Sequence, residues 1–400
     1  MNSAIAISYE LDDIESAVKD LITQIKEKLT FENNTVAILY GQPDMEIDEL
    51  SYALSLELGC HVLGGTTAAG ASITNEGYHE LAVVLHVLTG NDCFFAAAIS
   101  DSMANDPEKE ITGTYREVYK KLKHQNATAE PKMVICIASI VGSIASDDIL
   151  NRISGLCGNI PVFGFNAADD FEFCKQQVYL DGITGGDRLV ILAISGNINP
   201  IFQISNLAGK KALERRIVTK SHDNVICEID GKPAVDYIKE FPFIDDDTTG
   251  LYNYQFFVEI NSEKTNDKFP VSRALNTYNN ETGEVTCFAN VPENSSIGLL
   301  YCDGDDVATT SETGIKEFIN KINSTDNGYR YSTVLIATCS LRNMFLANMR
   351  ETEGNLIKNL MPLSLTTTGV YAFGEIAPTS VHDGVAVNRF HNATFTMCAF

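Results

Sequence analysis

Thr366-Thr367-Thr368-Gly369-Val370-Tyr371-Ala372-Phe373-Gly374-Glu375-Ile376-Ala377-Pro378 is the stretch on which the reading of this chain turns. Val370, Tyr371 and Phe373 make a β-rich run that passes into Gly374-Glu375 and meets a proline. That pattern predicts a buried strand whose last residues lie open at its carboxyl end. An acidic side chain there needs a partner, because an unpaired buried carboxylate is costly. Upstream, Thr333 to Ser340 reads as a strand covered on both faces, and residues near Met344 to Leu360 as a helix. Downstream, His391 to Phe400 reads as a closing strand.

The same layout occurs twice earlier. Val36 to Tyr40 is a buried strand; Asp44 opens a helix carrying Ile47, Leu50, Leu54 and Leu58; Gly59 ends it. His61 to Gly70 is then a strand breaking into a loop of small residues. Leu81 to Leu88 and Cys93 to Ile99 flank Gly90-Asn91-Asp92 as an expected hairpin. In the second copy, Met133 to Ser139 is the strand, Ser146 caps the helix and Gly158 ends it, and Ile160 to Asp170 is the strand-into-loop. Leu189 to Ile194 and Ile201 to Ile204 flank the second expected hairpin. Internal repetition implies a pseudo-symmetric core. The expected fold is therefore α/β, with pseudo-repeated strand-helix-strand plus hairpin units forming mixed sheets covered by helices, in two halves. The boundaries are a helical segment at 1–30, one half at 31–208 and another at 209–400. The basic patch Gly209-Lys210-Lys211 with Arg215-Arg216 marks the junction.

Four hundred residues can bury a large core and exceed one comfortable domain. A formal net charge of −24 argues against nucleic acid and anionic membrane as partners. No basic leader with an apolar core opens the chain, and no run of about 20 apolar residues suggests a membrane span. The ten cysteines sit singly and without a Cys-x-x-Cys pair, as buried reduced thiols of a cytoplasmic protein do. Asp245-Asp246-Asp247 and Asp303-Gly304-Asp305-Asp306 lack the alternation of a calcium loop and read as solvated loops, so no metal is expected.

Several of these stretches together resemble the FIST family of sensory domains. In the first half the likeness rests on Gly64 to Gly70 and on Gly164-Phe165-Asn166-Ala167-Ala168-Asp169-Asp170. In the second it rests on Gly231-Lys232-Pro233-Ala234 with Tyr237, Cys339-Ser340-Leu341-Arg342, Tyr371 through Gly374-Glu375, and His391-Asn392-Ala393-Thr394. The resemblance implies a FIST-N-like sensing domain followed by a FIST-C-like one. It also implies a cytoplasmic module that binds a small ligand, such as an amino acid, and reports it to a histidine kinase, a cyclic-di-nucleotide enzyme or a chemotaxis receptor. Two FIST-like halves leave no room here for an output domain, so the output is expected on a separate protein. Some members of the family are described as haem-binding gas sensors, which makes haem the alternative cofactor.

The strand tips nominate the site, because ligands of open α/β sheets gather beyond the carboxyl ends of strands. Arg342 offers a fork for a carboxylate, and Glu375 beside Gly374 could receive an ammonium; the pair either clasps a zwitterion or holds two strand ends together. His391 and Asn392 stand nearby, as ligand contacts or as structural groups. Thr66, Thr67 and Asn166 would line a matching site in the first half, or simply make tight turns. Cys339 with His391 keeps a Cys-dependent hydrolase as a further alternative, against which stands the missing Gly-x-Ser-x-Gly elbow.

Overall fold

The structure, a computed structural model, describes residues 1–140, 142–158, 160–207, 209–211, 213–241, 244, 251–260, 269–325, 328–382 and 385–400. The chain repeats one unit three times, and in each the centre is a parallel pair of strands joined by a helix. In unit 1, β1 (Asn2–Ser8) precedes α1 (Ile14–Lys28), β2 (Asn34–Gly41), α2 (Ile47–Leu58) and β3 (His61–Thr66). A short hairpin of β4 (Ser72–Thr74) and β5 (Gly77–His79) and a return strand β6 (Val83–Gly90) complete it. Unit 2 repeats the order with β7 (Cys93–Ile99), α3 (Pro107–Gln125), β8 (Pro131–Ala138), α4 (Ser146–Cys157) and β9 (Val162–Asn166). Its hairpin is β10 (Val178–Leu180) with β11 (Ile183–Gly185), and its return strand is β12 (Leu189–Gly196).

Unit 3 opens with β13 (Ile201–Ser205) and is then interrupted by β14 (Lys210–Lys211), β15 (Arg216–His222), β16 (Val225–Ile229), β17 (Lys232–Pro233), α5 (Ala234–Ile238), β18 (Tyr254–Glu259), β19 (Pro270–Asn279), β20 (Glu284–Cys287) and β21 (Ser296–Tyr301). It resumes with α6 (Gly304–Ser324), β22 (Thr333–Cys339), α7 (Ser340–Leu346), α8 (Thr352–Leu360) and β23 (Thr366–Ala372). The hairpin of β24 (Glu375–His382) and β25 (Val385–His391) and the return strand β26 (Phe395–Ala399) end it. In the interruption β15, β16, β20, β19, β18 and β21 pair in a closed ring, a small antiparallel barrel filled by Phe256, Val258, Leu275, Ile297 and Leu299.

The three six-stranded sheets have matching orders: β1-β6-β2-β3-β10-β11, β7-β12-β8-β9-β24-β25 and β13-β26-β22-β23-β4-β5. Each unit lends its hairpin to another unit's sheet. Unit 2 supplies β10–β11 to unit 1, unit 3 supplies β24–β25 to unit 2, and unit 1 supplies β4–β5 to unit 3. The inner faces meet in one core that mixes Ile38 and Leu63, Ile135 and Phe165, and Leu335 and Val370. Helices cover the outer faces: α1 and α2, α3 and α4, α6 and α8. Gly64, Gly164 and Gly369 hold equivalent places against Leu39, Cys136 and Ile336. A Cβ at Gly64 or Gly164 would lie 1.9 or 1.8 Å from the carbonyl oxygen opposite, so glycine is required where a central strand approaches this closely.

The α/β class, the repetition and the mixed sheets stand as expected. Several local readings change. The expected hairpins do not form: β6 and β7 lie in different sheets, as do β12 and β13, because each turn carries the chain from one unit to the next. The helix expected in residues 1–30 is preceded by β1, and strand pairing crosses the junction near 208, where β13 lies against β26. The quoted stretch is two strands in two sheets. Gly374, at φ 132, reverses the chain between β23 and β24, and a Cβ there would meet the Phe390 ring at 2.2 Å. Pro378 sits at a register shift within β24, where a missing N–H is tolerated. The helix read near 344–360 is broken at Ala347, φ 48, and the closing strand is broken at Ala393, φ 54. α2 starts beyond Asp44, with Glu46 at its cap, and Ala145, not Ser146, caps α4.

Candidate functional site

Beyond the carboxyl ends of β8, β9 and β22 a cleft of about 790 Å³ opens between the three-unit core and the barrel. The core contributes Asn166 from the tip of β9, Ser146, Asp147 and Asp148 from the first turn of α4, Cys339 and Ser340 from the β22–α7 junction, and Asn392. The barrel contributes Asp223 and Asn224 from the β15–β16 turn, Tyr252, and Phe288 to Asn290 beyond β20. Asn166 is 1 % exposed; its Nδ2 donates to Ser146 Oγ at 2.6 Å, and its Oδ1 has no partner. Asn392 is alike, with Nδ2 donating to the His391 carbonyl at 3.3 Å and Oδ1 unpartnered. Asn290 Oδ1 is a third buried oxygen without a partner. Buried polar atoms are normally satisfied by protein or by water, so three such acceptors around one cleft leave places for N–H or O–H donors.

A wall of rings faces them. Phe173 stacks on Phe373 at 4.7 Å between centroids, Phe171 lies 5.5 Å from Phe373, and Phe288 joins Phe173 to Tyr252. Phe171 and Phe173 are 37 % and 43 % exposed and sit at φ 65 and 56, a left-handed backbone that ring-bearing residues rarely adopt. Asp169 holds this loop by accepting the N–H groups of Phe173, Cys174 and Lys175 at 3.0, 2.9 and 2.8 Å. The barrel is fastened to the core at the cleft floor. Arg273 of β19 donates to Asp147 at 2.9 Å and to the Phe390 carbonyl at 3.0 Å, and Asp147 also accepts the Asn290 N–H at 3.0 Å.

Of the residues read from sequence, Asn166, Cys339 and Asn392 line this one cleft, while Gly374 in the β23–β24 turn, Glu375 at the start of β24 and His391 at the end of β25 stand within two residues of the lining residues Phe373 and Asn392. The expected pair of Arg342 with Glu375 is replaced by another. Arg342, fully buried, donates Nε to Glu353 at 2.9 Å, Nη2 to Ser311 Oγ at 2.7 Å and Nη1 to the Ala393 carbonyl at 3.2 Å. Glu353 also accepts from Thr338 and Ser311. α7 turns Arg342 inward under α6 and α8, so its fork holds helices together and no nitrogen remains for a ligand carboxylate.

Glu375 accepts twice from Thr394, at 3.1 and 2.7 Å, and its Oε1 has no partner. Burial pushes its carboxyl up to about 8, although the Thr394 bonds and the charge of Arg342 pull it down. His391 Nε2 donates to the Ala377 carbonyl at 3.2 Å, and burial pushes the imidazole down to about 3, so it is neutral. Burial also drives the Cys339 thiol well above its ordinary value, with the Glu375 charge adding to the rise. A nucleophilic cysteine needs the opposite shift.

Thr66 and Thr67 do not form a matching second site. Both are fully buried: Thr66 Oγ1 accepts the Gln177 N–H at 2.9 Å, and Thr67 Oγ1 donates to the Ala71 carbonyl at 2.5 Å while accepting the Tyr371 N–H at 3.2 Å. They belong to a ring of bonds at the centre of the three units. Ala168 N–H reaches the Thr66 carbonyl at 2.8 Å, and Phe373 N–H reaches the Asn166 carbonyl at 3.1 Å. Asp303 and Asp306 form a capping box on α6, as a solvated acidic turn does, while Asp245-Asp246-Asp247 lies outside the described residues. Among the described residues no cluster of His, Cys, Asp and Glu could hold a metal ion, and no helix is long and apolar enough to cross a membrane. The described lining residues include no histidine for a haem iron.

Sequence reasoning missed the aromatic wall, Asp148, Asp223 and Asn290. Two phenylalanines spaced Phe-x-Phe in an acidic loop were the available signal.

The FIST N domain matches residues 35–232 and the FIST C domain residues 234–378. The chain belongs to the FIST family. FIST domains are associated with sensory signal transduction. In this FIST protein the cleft lies where both matches meet, since Asn166 and Asp223 fall in the first and Phe288, Asn290 and Cys339 in the second. No curated protein matches the chain.

Proposed function

We propose that this FIST protein is a cytoplasmic receptor for a small amino-bearing ligand, a free amino acid or a related amine, held in the cleft between core and barrel. A signalling protein such as a histidine kinase, a cyclic-di-nucleotide enzyme or a chemotaxis receptor reads the bound state. The observation that carries this reading is the trio of buried, unpartnered oxygens on Asn166, Asn290 and Asn392 around one cleft. An amino group supplies N–H donors to such oxygens, and each bond that ends an orphaned state recovers about 1–3 kcal/mol. Because core and barrel both line the cleft, a ligand touching both stabilises one relative arrangement of the two, which is how occupancy becomes a signal. The role asked of the residues is binding: burial holds the Cys339 thiol well above its ordinary value, which disfavours the thiolate, and this reading calls on no cofactor.

A thermal-shift screen with the free amino acids and simple amines tests this, since a ligand selective for the folded state must raise the midpoint. A hit should lose at least about tenfold in calorimetric affinity in Asn166→Ala and Asn392→Ala. The reading fails if millimolar ligand never moves the midpoint, or if both variants bind as the parent does.

A further inference from the structure

We infer that the cleft selects an organic ammonium ion without a carboxylate, whose charge rests between the aromatic wall and the Asp148 and Asp223 carboxylates. This narrows the ligand class and rests on the cleft being the binding site. The orphaned Oδ1 atoms of Asn166 and Asn392, 1 % and 4 % exposed, accept N–H bonds and give nothing to an anion. Asp148 and Asp223, both exposed on the lining, make no side-chain bond or ion pair among the described residues. The described lining residues hold no Lys or Arg. Arg273 lies beneath the floor, but its guanidinium is committed to Asp147 and to the carbonyls of Phe390 and Asn290. Among the described residues two helix amino ends face the cleft: that of α4, whose first turn Asp147 and Asp148 already occupy, and that of the seven-residue α7. A carboxylate entering between α4 and the β15–β16 turn would meet acceptors and two acids.

The rings supply the complementary half. Phe173 and Phe373 stack, Phe288 and Tyr252 continue the surface, and all four are partly accessible from the cleft. The faces of such rings attract a cation by about 0.5–2 kcal/mol, more as water is excluded. A net charge of −24 adds long-range attraction for cations and repulsion for anions.

A matched trio with one ring and one linker separates the charge types: 2-phenylethylamine, phenylalanine and 3-phenylpropionate. Calorimetry on the full chain at low salt should give the amine the tightest Kd, the amino acid a weaker one and the acid no detectable binding. Asp148→Asn with Asp223→Asn, both exposed, should weaken the amine about three- to tenfold while lowering the melting midpoint of the unliganded protein by no more than the loss of one first-turn helix acid does. Phe173→Leu should weaken it by a similar factor. If phenylalanine or phenylpropionate binds as tightly as the amine, the cationic assignment is overturned while the cleft survives as a receptor site. If the amine binds and the double Asp variant does not change its Kd, the assigned charge position is wrong. If none of the three binds, the cationic assignment falls, and only the wider screen above bears on the cleft.

Discussion

Thr66 ends β3 and Asn166 ends β9, the same position in successive units, and their side chains differ in what they meet. Thr66 Oγ1 accepts the Gln177 N–H, and the neighbouring Thr67 is bonded to Ala71 and Tyr371. Asn166 spends its donor on Ser146 and keeps an oxygen without a partner. The backbone layout is shared, so the strand tip alone does not make a site. The difference lies in what stands opposite. The tip of unit 1 is sealed by its neighbouring units, whereas the tip of unit 2 faces the barrel that interrupts unit 3 alone. One insertion turned one of three equivalent positions into a cavity.

The largest expected effect breaks unit 3 beside the cleft. Arg342→Ala strands Glu353 in a fully buried position and should cost about 3–5 kcal/mol, read as a lowered denaturant midpoint. The closed and open tips separate next. Thr67→Val removes buried bonds and should cost about 1–3 kcal/mol of stability with ligand affinity unchanged, while Asn166→Ala should lower affinity about tenfold with a smaller stability loss. Equal effects of the two variants on affinity would erase the distinction.

A pH profile sharpens it further. Glu375 titrates near 8 in the folded protein against an ordinary value of 4.5, so the folded state holds a proton that the unfolded state releases. Its contribution is full below about 4.5 and is lost as pH rises towards 8. His86 and His391 act with the opposite sign. Both are pushed to about 3 from 6.5, so stability falls as pH drops through that window and the unfolded chain takes up protons first. Glu375→Gln should flatten the alkaline side of the stability profile and leave the acid side in place. The smallest effect is chemical: iodoacetamide at neutral pH should label exposed Cys174 quickly and buried Cys339 hardly at all, by intact mass.

The repeat was legible because it rests on local signals. Val36 to Tyr40, Met133 to Ser139 and Thr333 to Ser340 are apolar runs that only doubly covered strands tolerate, and caps such as Gly59 mark helix ends. Asn166 and Cys339, which line the cleft, could be placed at strand tips for the same reason, since strand tips can be located without knowing their neighbours. The hairpins β4–β5 and β10–β11 have three-residue strands, too short for alternation to show, and their sheets are finished by distant residues. The sequence reading set Arg342 beside Glu375; its pairing with Glu353 depends on which way α7 turns, which no local signal encodes. The aromatic wall joins Phe173, Phe373 and Phe288 from three separate segments, a proximity no spacing rule encodes.

The loan of hairpins around the three units bears on how the polypeptide reaches its native state. Strand β4 is made early but finds its place only beside β23, so Ser72 waits for Val370 to be synthesised. The sheet of unit 2 likewise waits for β24. Closing contacts that span almost 300 residues makes for slow, late-committing assembly. A chain cut at the junction of the FIST N and FIST C matches would leave both fragments with unpaired sheet edges, and such edges aggregate. Dissection into halves should therefore yield insoluble pieces, while co-expression of the two restores a complete molecule.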